Sequence, residues 1–245
     1  MSDANTGYKQ DTRHAVSCTL FVLPMLIAYE MGVWSMTDGT PDMLRNGADS
    51  WLRWLFTHIG LTHSVWPGIV FGLGLLLWCS LTWQSRPKDP ANVWMGMVIE
   101  SATFALLLWV MSLCLGPLLD YMDIPLQTGG QPEPAMQMMV AYLGAGIYEE
   151  AVFRLLAFTL LIELFKINGL PESAGTVLAV CVSALLFAAA HHVGPVGEPF
   201  DGFVFLFRTL AGVYFALLYR FRGFGIAVGA HAFYDIFIGV ILTSS

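Results

Sequence analysis

Apolar residues fall into seven long blocks separated by short polar or Gly/Pro-rich breaks, and these blocks are the first pattern in the chain. They cover roughly Ala15–Trp34, Val65–Trp83, Trp94–Leu119, Ala135–Phe165, Gly175–His192, Phe203–Tyr219 and Phe224–Leu242. About 20 consecutive apolar residues cross the hydrocarbon core of a bilayer as a helix. The blocks therefore predict an all-α, polytopic transmembrane bundle of about seven spans, with six and eight as bounds. Pro24 lies inside the first block, where a membrane helix tolerates it. Ahead of that block the polar segment Met1–His14 is expected to carry no regular structure. The loop Thr37–Ser64 contains Trp51-Leu52-Arg53-Trp54-Leu55-Phe56, whose aromatic content predicts a short helix lying at the membrane surface. His58 and His63 belong to this region at no useful ligand spacing. The expected organisation is a tail over 1–14, N-terminal spans over 15–134 and a chemistry-bearing membrane core over 135–245.

Composition agrees with a lipid environment. The chain is 56% hydrophobic and 12% charged, where a soluble domain carries about 25% charged residues. A net charge of −7 without any block of Lys or Arg argues against a nucleic-acid partner. Cys18, Cys79, Cys114 and Cys181 sit inside apolar blocks without ligand spacing and read as packing residues, not as a disulfide framework or metal site. The apolar run follows Cys18 instead of preceding it, so neither lipidation nor signal cleavage is expected there. No internal repeat suggests an inverted-repeat carrier. With seven spans, Lys9, Arg13, Arg86, Lys88, Lys166, Arg220 and Arg222 share one side. Asp38, Asp42, Asp49, Asp120, Asp123, Glu133 and Glu198 share the other. The positive-inside rule then predicts a cytoplasmic N-terminus and an external C-terminus; the membrane is expected to be a bacterial cytoplasmic one.

The fourth block breaks the apolar pattern with Glu149-Glu150-Ala151-Val152-Phe153-Arg154. Each ionised side chain near the middle of a span costs roughly 2.5–3.5 kcal/mol on insertion scales, so three together point to a functional site. Glu150 and Arg154 are four apart and can pair on one helical face. Glu149 points about 100° away in an α-helix and has no basic residue at i+3 or i+4. It is therefore the carboxylate free to exchange protons, while Glu150 and Arg154 hold the helix in register. Two later blocks add polar pairs at helical spacing: Phe187 with His191, and His231 with Asp235. His191 falls at the outer end of its block and His231 in the inner part of its own, so their meeting requires shifted boundaries or tilted spans. Glu100, near the start of the third block, reads as a helix-end carboxylate rather than a partner of Arg154.

A glutamate and a histidine can together take a proton from water. A second histidine with a polar neighbour can hydrogen-bond the oxyanion formed when that water attacks an amide. Peptide-bond hydrolysis by Glu149, His191, His231 and Asp235 is thus chemically coherent, and no serine elbow or reactive cysteine indicates a covalent nucleophile. These motifs, Glu149-Glu150-xxx-Arg154, Phe187-xxx-His191 and His231-xxx-Asp235 in that order, resemble the three motifs of the CPBP family. That family comprises CAAX-processing enzymes of the Rce1 type and bacterial relatives, which are intramembrane glutamic proteases. The resemblance covers Glu149 to Asp235. It implies that Glu149 and His191 activate water, that His231 and Asp235 stabilise the oxyanion, and that no cofactor is needed. It also implies a membrane-associated protein or peptide substrate. The family often has Asn where Asp235 stands, and an aspartate donates a hydrogen bond only when protonated. Two other readings stand beside this one. Glu149, His191 and His231 could ligate zinc as in a metalloprotease, or the buried charges could be a structural network in a membrane scaffold or carrier.

Overall fold

The computed structural model of the chain describes residues 2–36, 45–120, 134–193 and 197–242, and these form helices and turns with no strand. Asp38, Asp42, Asp123, Glu133 and the loop residues 194–196 lie outside the described residues. The helices are α1 (Ser2–Asp11), α2 (Ala15–Met36), α3 (Gly47–His58), α4 (Trp66–Thr82) and α5 (Pro90–Asp120). They continue with α6 (Ala135–Gly144), α7 (Thr159–Ile167), α8 (Glu172–Ala190), α9 (Gly202–Arg222) and α10 (Phe224–Ile236). Two π-wound stretches, Ala145–Glu149 and Ala151–Phe158, join α6 to α7, and a third, Phe237–Leu242, extends α10.

Among the described residues, six helical stretches are long and apolar enough to cross a membrane: Ala15–Met36, Trp66–Ser85, Pro90–Cys114, Glu172–Ala190, Gly202–Arg222 and Phe224–Leu242. The remaining expected span is the rod from α6 to α7, whose α and π segments are each short. The protein is an integral multi-pass membrane protein built as an all-α bundle. The aromatic cluster is helical, as α3, and the helix is longer than the cluster alone suggests, because Asn46 starts it by accepting the Asp49 N–H at 2.8 Å.

Half of the spanning window of α2 and of α10 is buried, against 22% for α4 and α5. The first pair therefore forms the centre, and α4 and α5 present Leu73, Leu77, Leu81, Ile99, Leu106 and Leu113 outward as a lipid-facing surface. α10 packs against α5, α9, α2 and the first π stretch. Gly225 and Gly229, four apart on α10, let Met97, Phe21 and Ser101 lie directly against its backbone. Gly223, at φ +99°, makes the break between α9 and α10 and donates its N–H to Leu218 and Tyr219 carbonyls.

The segment Met1–His14 differs from expectation: Ser2–Asp11 is helical. Tertiary contact supplies what local sequence lacks, since Tyr8 donates to Glu100 at 3.0 Å and Arg222 Nη2 donates to the same carboxylate at 2.7 Å. Glu100 is thus engaged with Arg222 and Tyr8 and not with Arg154, and it lies well inside α5 (Pro90–Asp120) rather than at the helix end.

The rod carrying Glu149 meets α10 at Gly146, where a Cβ would lie 2.9 Å from both Val228 O and Ala232 N. Backbone cannot yield as a side-chain tip can, so Gly146→Ala should destabilise the fold by about 1–3 kcal/mol. Thermal unfolding in detergent checks this, with Gly74→Ala, whose Cβ meets nothing within 4 Å, expected to leave the midpoint unchanged.

Candidate active site

The two glutamates sit where the helix is widened. Ala145–Glu149 and Ala151–Phe158 are π-wound, and such turns inserted in α-helices recur at functional sites. A π turn rotates less per residue than an α turn, so Glu149 and Glu150 diverge less than α geometry predicts. As a result both reach one imidazole. His231 Nδ1 donates to Glu150 Oε1 at 2.8 Å, while His231 Nε2 lies 3.8 Å from Glu149 Oε2. The expected pairing of Glu150 with Arg154 is also present, at 3.2 Å. Glu150 therefore has a second contact that spacing along its own helix could not show.

His191 comes from the other side. It caps α8 immediately after Ala190, and its Nδ1 lies 2.8 Å from Phe187 O. A carbonyl only accepts, so Nδ1 carries the proton and the neutral ring has its lone pair on Nε2. That atom is 3.8 Å from Glu149 Oε2. The two histidines, placed by sequence at different depths, thus meet on one carboxylate oxygen. Asp235 completes the group, with Oδ2 3.4 Å from His231 Nε2.

Burial separates the two glutamates. Glu149 keeps 9% exposure, and Glu150 and Arg154 keep none, so Glu149 is the one a substrate can touch. Arg154 is enclosed: its Nη2 donates to Gly212 O at 3.2 Å, and its guanidinium lies 4.5 Å from the Phe187 ring centre and 5.6 Å from that of Phe215. Phe187 sets its edge to the His191 ring at 5.0 Å, and Phe215 stacks on His231 at 4.5 Å with an interplanar angle of 13°. Arg154 and the two phenylalanines thereby fix the orientation of both imidazoles.

Several residues around the site are given no site role by the sequence reading, although Arg208, a charge inside the Phe203–Tyr219 block, carries the same kind of signal as Glu149. Phe215 is one aromatic among many. Arg208 faces a cavity of about 410 Å³ shared with Glu149, His231, Asp235 and Tyr234. It donates to Glu198 at 2.9 Å, and that hydrogen bond holds the Glu198 carboxyl below its usual range. Glu198 and Trp51 border a second cavity of about 210 Å³ that also reaches Glu149 and His191. Asp49, grouped by charge with the solvated acidic loops, is instead fully buried. Tyr29 and Arg45 donate to it at 2.7 and 2.8 Å, Arg45 continues to Glu30 at 2.8 Å, and Tyr148 donates to Glu30 at 2.8 Å. A signal for Asn46 does exist in the sequence, since Asn-Gly-Ala-Asp ahead of an amphipathic stretch is a helix start. Among the described residues no group of three His, Cys, Asp or Glu side chains is arranged to hold a metal ion.

The helical bundle thus encloses paired carboxylates and histidines in its interior. Residues 131–237 match the family model for type II CAAX prenyl endopeptidase, Rce1-like. No curated protein and no solved structure matches the chain. Residues 131–237, somewhat less than half of the chain, are thus similar to an Rce1-like domain, in agreement with the resemblance read from its three motifs.

Proposed function

We propose that the protein is a glutamic-type intramembrane endopeptidase that cuts membrane-associated protein or peptide substrates with water activated by Glu149 and His191. The carrying observation is that one Glu149 oxygen lies 3.8 Å from Nε2 of both His191 and His231. A water held by Glu149 and the His191 lone pair gives up its proton as its oxygen attacks the scissile carbonyl carbon. The carbonyl π electrons move to oxygen, and His231 is the donor beside that oxyanion. Because Nδ1–H is committed to Glu150, a second proton on Nε2 makes the ring an imidazolium, which the carboxylates of Glu150 and Asp235 balance. When the tetrahedral species collapses, the C–N bond breaks and the leaving amine takes the proton stored on the Glu149–His191 pair. The apolar surround excludes bulk water and strengthens each of these interactions. Loop charges orient the chain with a cytoplasmic N-terminus.

The experiment compares membrane proteomes of cells expressing the wild type and Glu149→Gln. An uncleaved precursor should accumulate in the variant; identical proteomes, with a transport or assembly defect instead, would favour a carrier or scaffold. Purified enzyme cleaving that precursor should keep its rate in excess chelator. Loss of activity restored by zinc would replace this mechanism with a metalloprotease.

A further inference from the structure

One oriented donor at the site has no role in the chemistry above. Asn46 caps α3 with its side-chain oxygen, which accepts the Asp49 N–H at 2.8 Å. That commitment settles which way the amide faces. Its Nδ2 is then buried and without a partner among the described residues, which is costly for a donor shielded from water. Asn46 borders the same two cavities as the reacting pair, Glu149 and His191. Its position is not left to loop flexibility. Arg45, its chain neighbour, and Asp49, whose N–H it caps, belong to the buried network through Glu30 to Tyr148, which immediately precedes Glu149. Donor and base are thus tied to one another through side chains.

The chemistry that satisfies such a donor is a carbonyl oxygen gaining negative charge. Asp235 accepts unless protonated, so His231 otherwise has no neutral companion donor. We propose that Asn46 Nδ2–H donates to the scissile carbonyl oxygen, as a second oxyanion donor supplied by α3 from outside the Rce1-like segment. This rests on the endopeptidase reading.

The test uses full-length protein in proteoliposomes and a fluorogenic peptide spanning the cleavage junction of the precursor that accumulates in Glu149→Gln cells. Asn46→Ser and Asn46→Asp both keep an oxygen that can cap Asp49 but lack the NH₂ group. Both should unfold at the wild-type temperature, lose about 10²-fold in kcat and keep KM within about threefold. A kcat within about threefold of wild type in both variants overturns the proposal. A rate loss matched by an equal loss of folded protein in both overturns it too, because the amide would then be structural. If no precursor depends on Glu149, the endopeptidase reading falls first and the donor role with it.

Discussion

Glu149→Gln should express and unfold like the wild type while losing about 10²–10⁴-fold in kcat, the range that one positioned proton acceptor contributes. The substitution preserves shape and removes the charge. It leaves the Glu150–Arg154 pair and the His231–Glu150 hydrogen bond untouched, so folding has no reason to change. Single-turnover cleavage of the precursor junction, with circular dichroism and thermal unfolding in detergent, separates the two effects. His191→Ala should show a similar rate loss, since it removes the other half of the water-holding pair. A Glu149→Gln enzyme within tenfold of wild type would remove Glu149 from the chemistry.

The largest loss of stability is expected at Arg154. Arg154→Ala leaves the fully buried Glu150 without its cation, and orphaning one member of a buried pair costs about 3–5 kcal/mol. It also deletes the donor to Gly212 O and the cation between Phe187 and Phe215. Folded yield should therefore fall steeply. Glu150→Gln is expected to differ from both. Its amide oxygen can still accept from His231 Nδ1, but the charge that balances Arg154 and an imidazolium is gone. Lower yield and lower kcat should appear together, with KM little changed. The motif alone suggests a purely architectural Glu150, which would affect yield and leave the rate per folded molecule intact. The ratio of active to folded protein decides between these outcomes.

Much of this molecule can be read along the chain because lipid imposes one rule on every backbone group. With no water to satisfy N–H and C=O, an apolar block of sufficient length must be a helix, and so the bounds of α2, α4, α8 and α9 fall within a few residues of the block edges. The same economy makes Glu149, Glu150 and Arg154 conspicuous, since ionised side chains in such a block require a partner or a task. Spacing then pairs Glu150 with Arg154, and His231 with Asp235, because helical neighbours are set by local geometry.

What lies across the bundle is different in kind. That Glu150 takes the proton side of His231 depends on a π-wound backbone and on Gly146 admitting α10, neither of which any spacing rule encodes. The burial of Asp49 depends on Tyr29 and Glu30 of α2 meeting Arg45, which lies just ahead of α3. The chain alone specified the spans, the buried charges and their pairing along a helix, all local consequences of hydrophobicity and pitch. The shared imidazole, the phenylalanine walls and the Asn46 amide came from packing between helices. There close approach, hydrogen-bond satisfaction and the low dielectric are settled by the whole bundle at once.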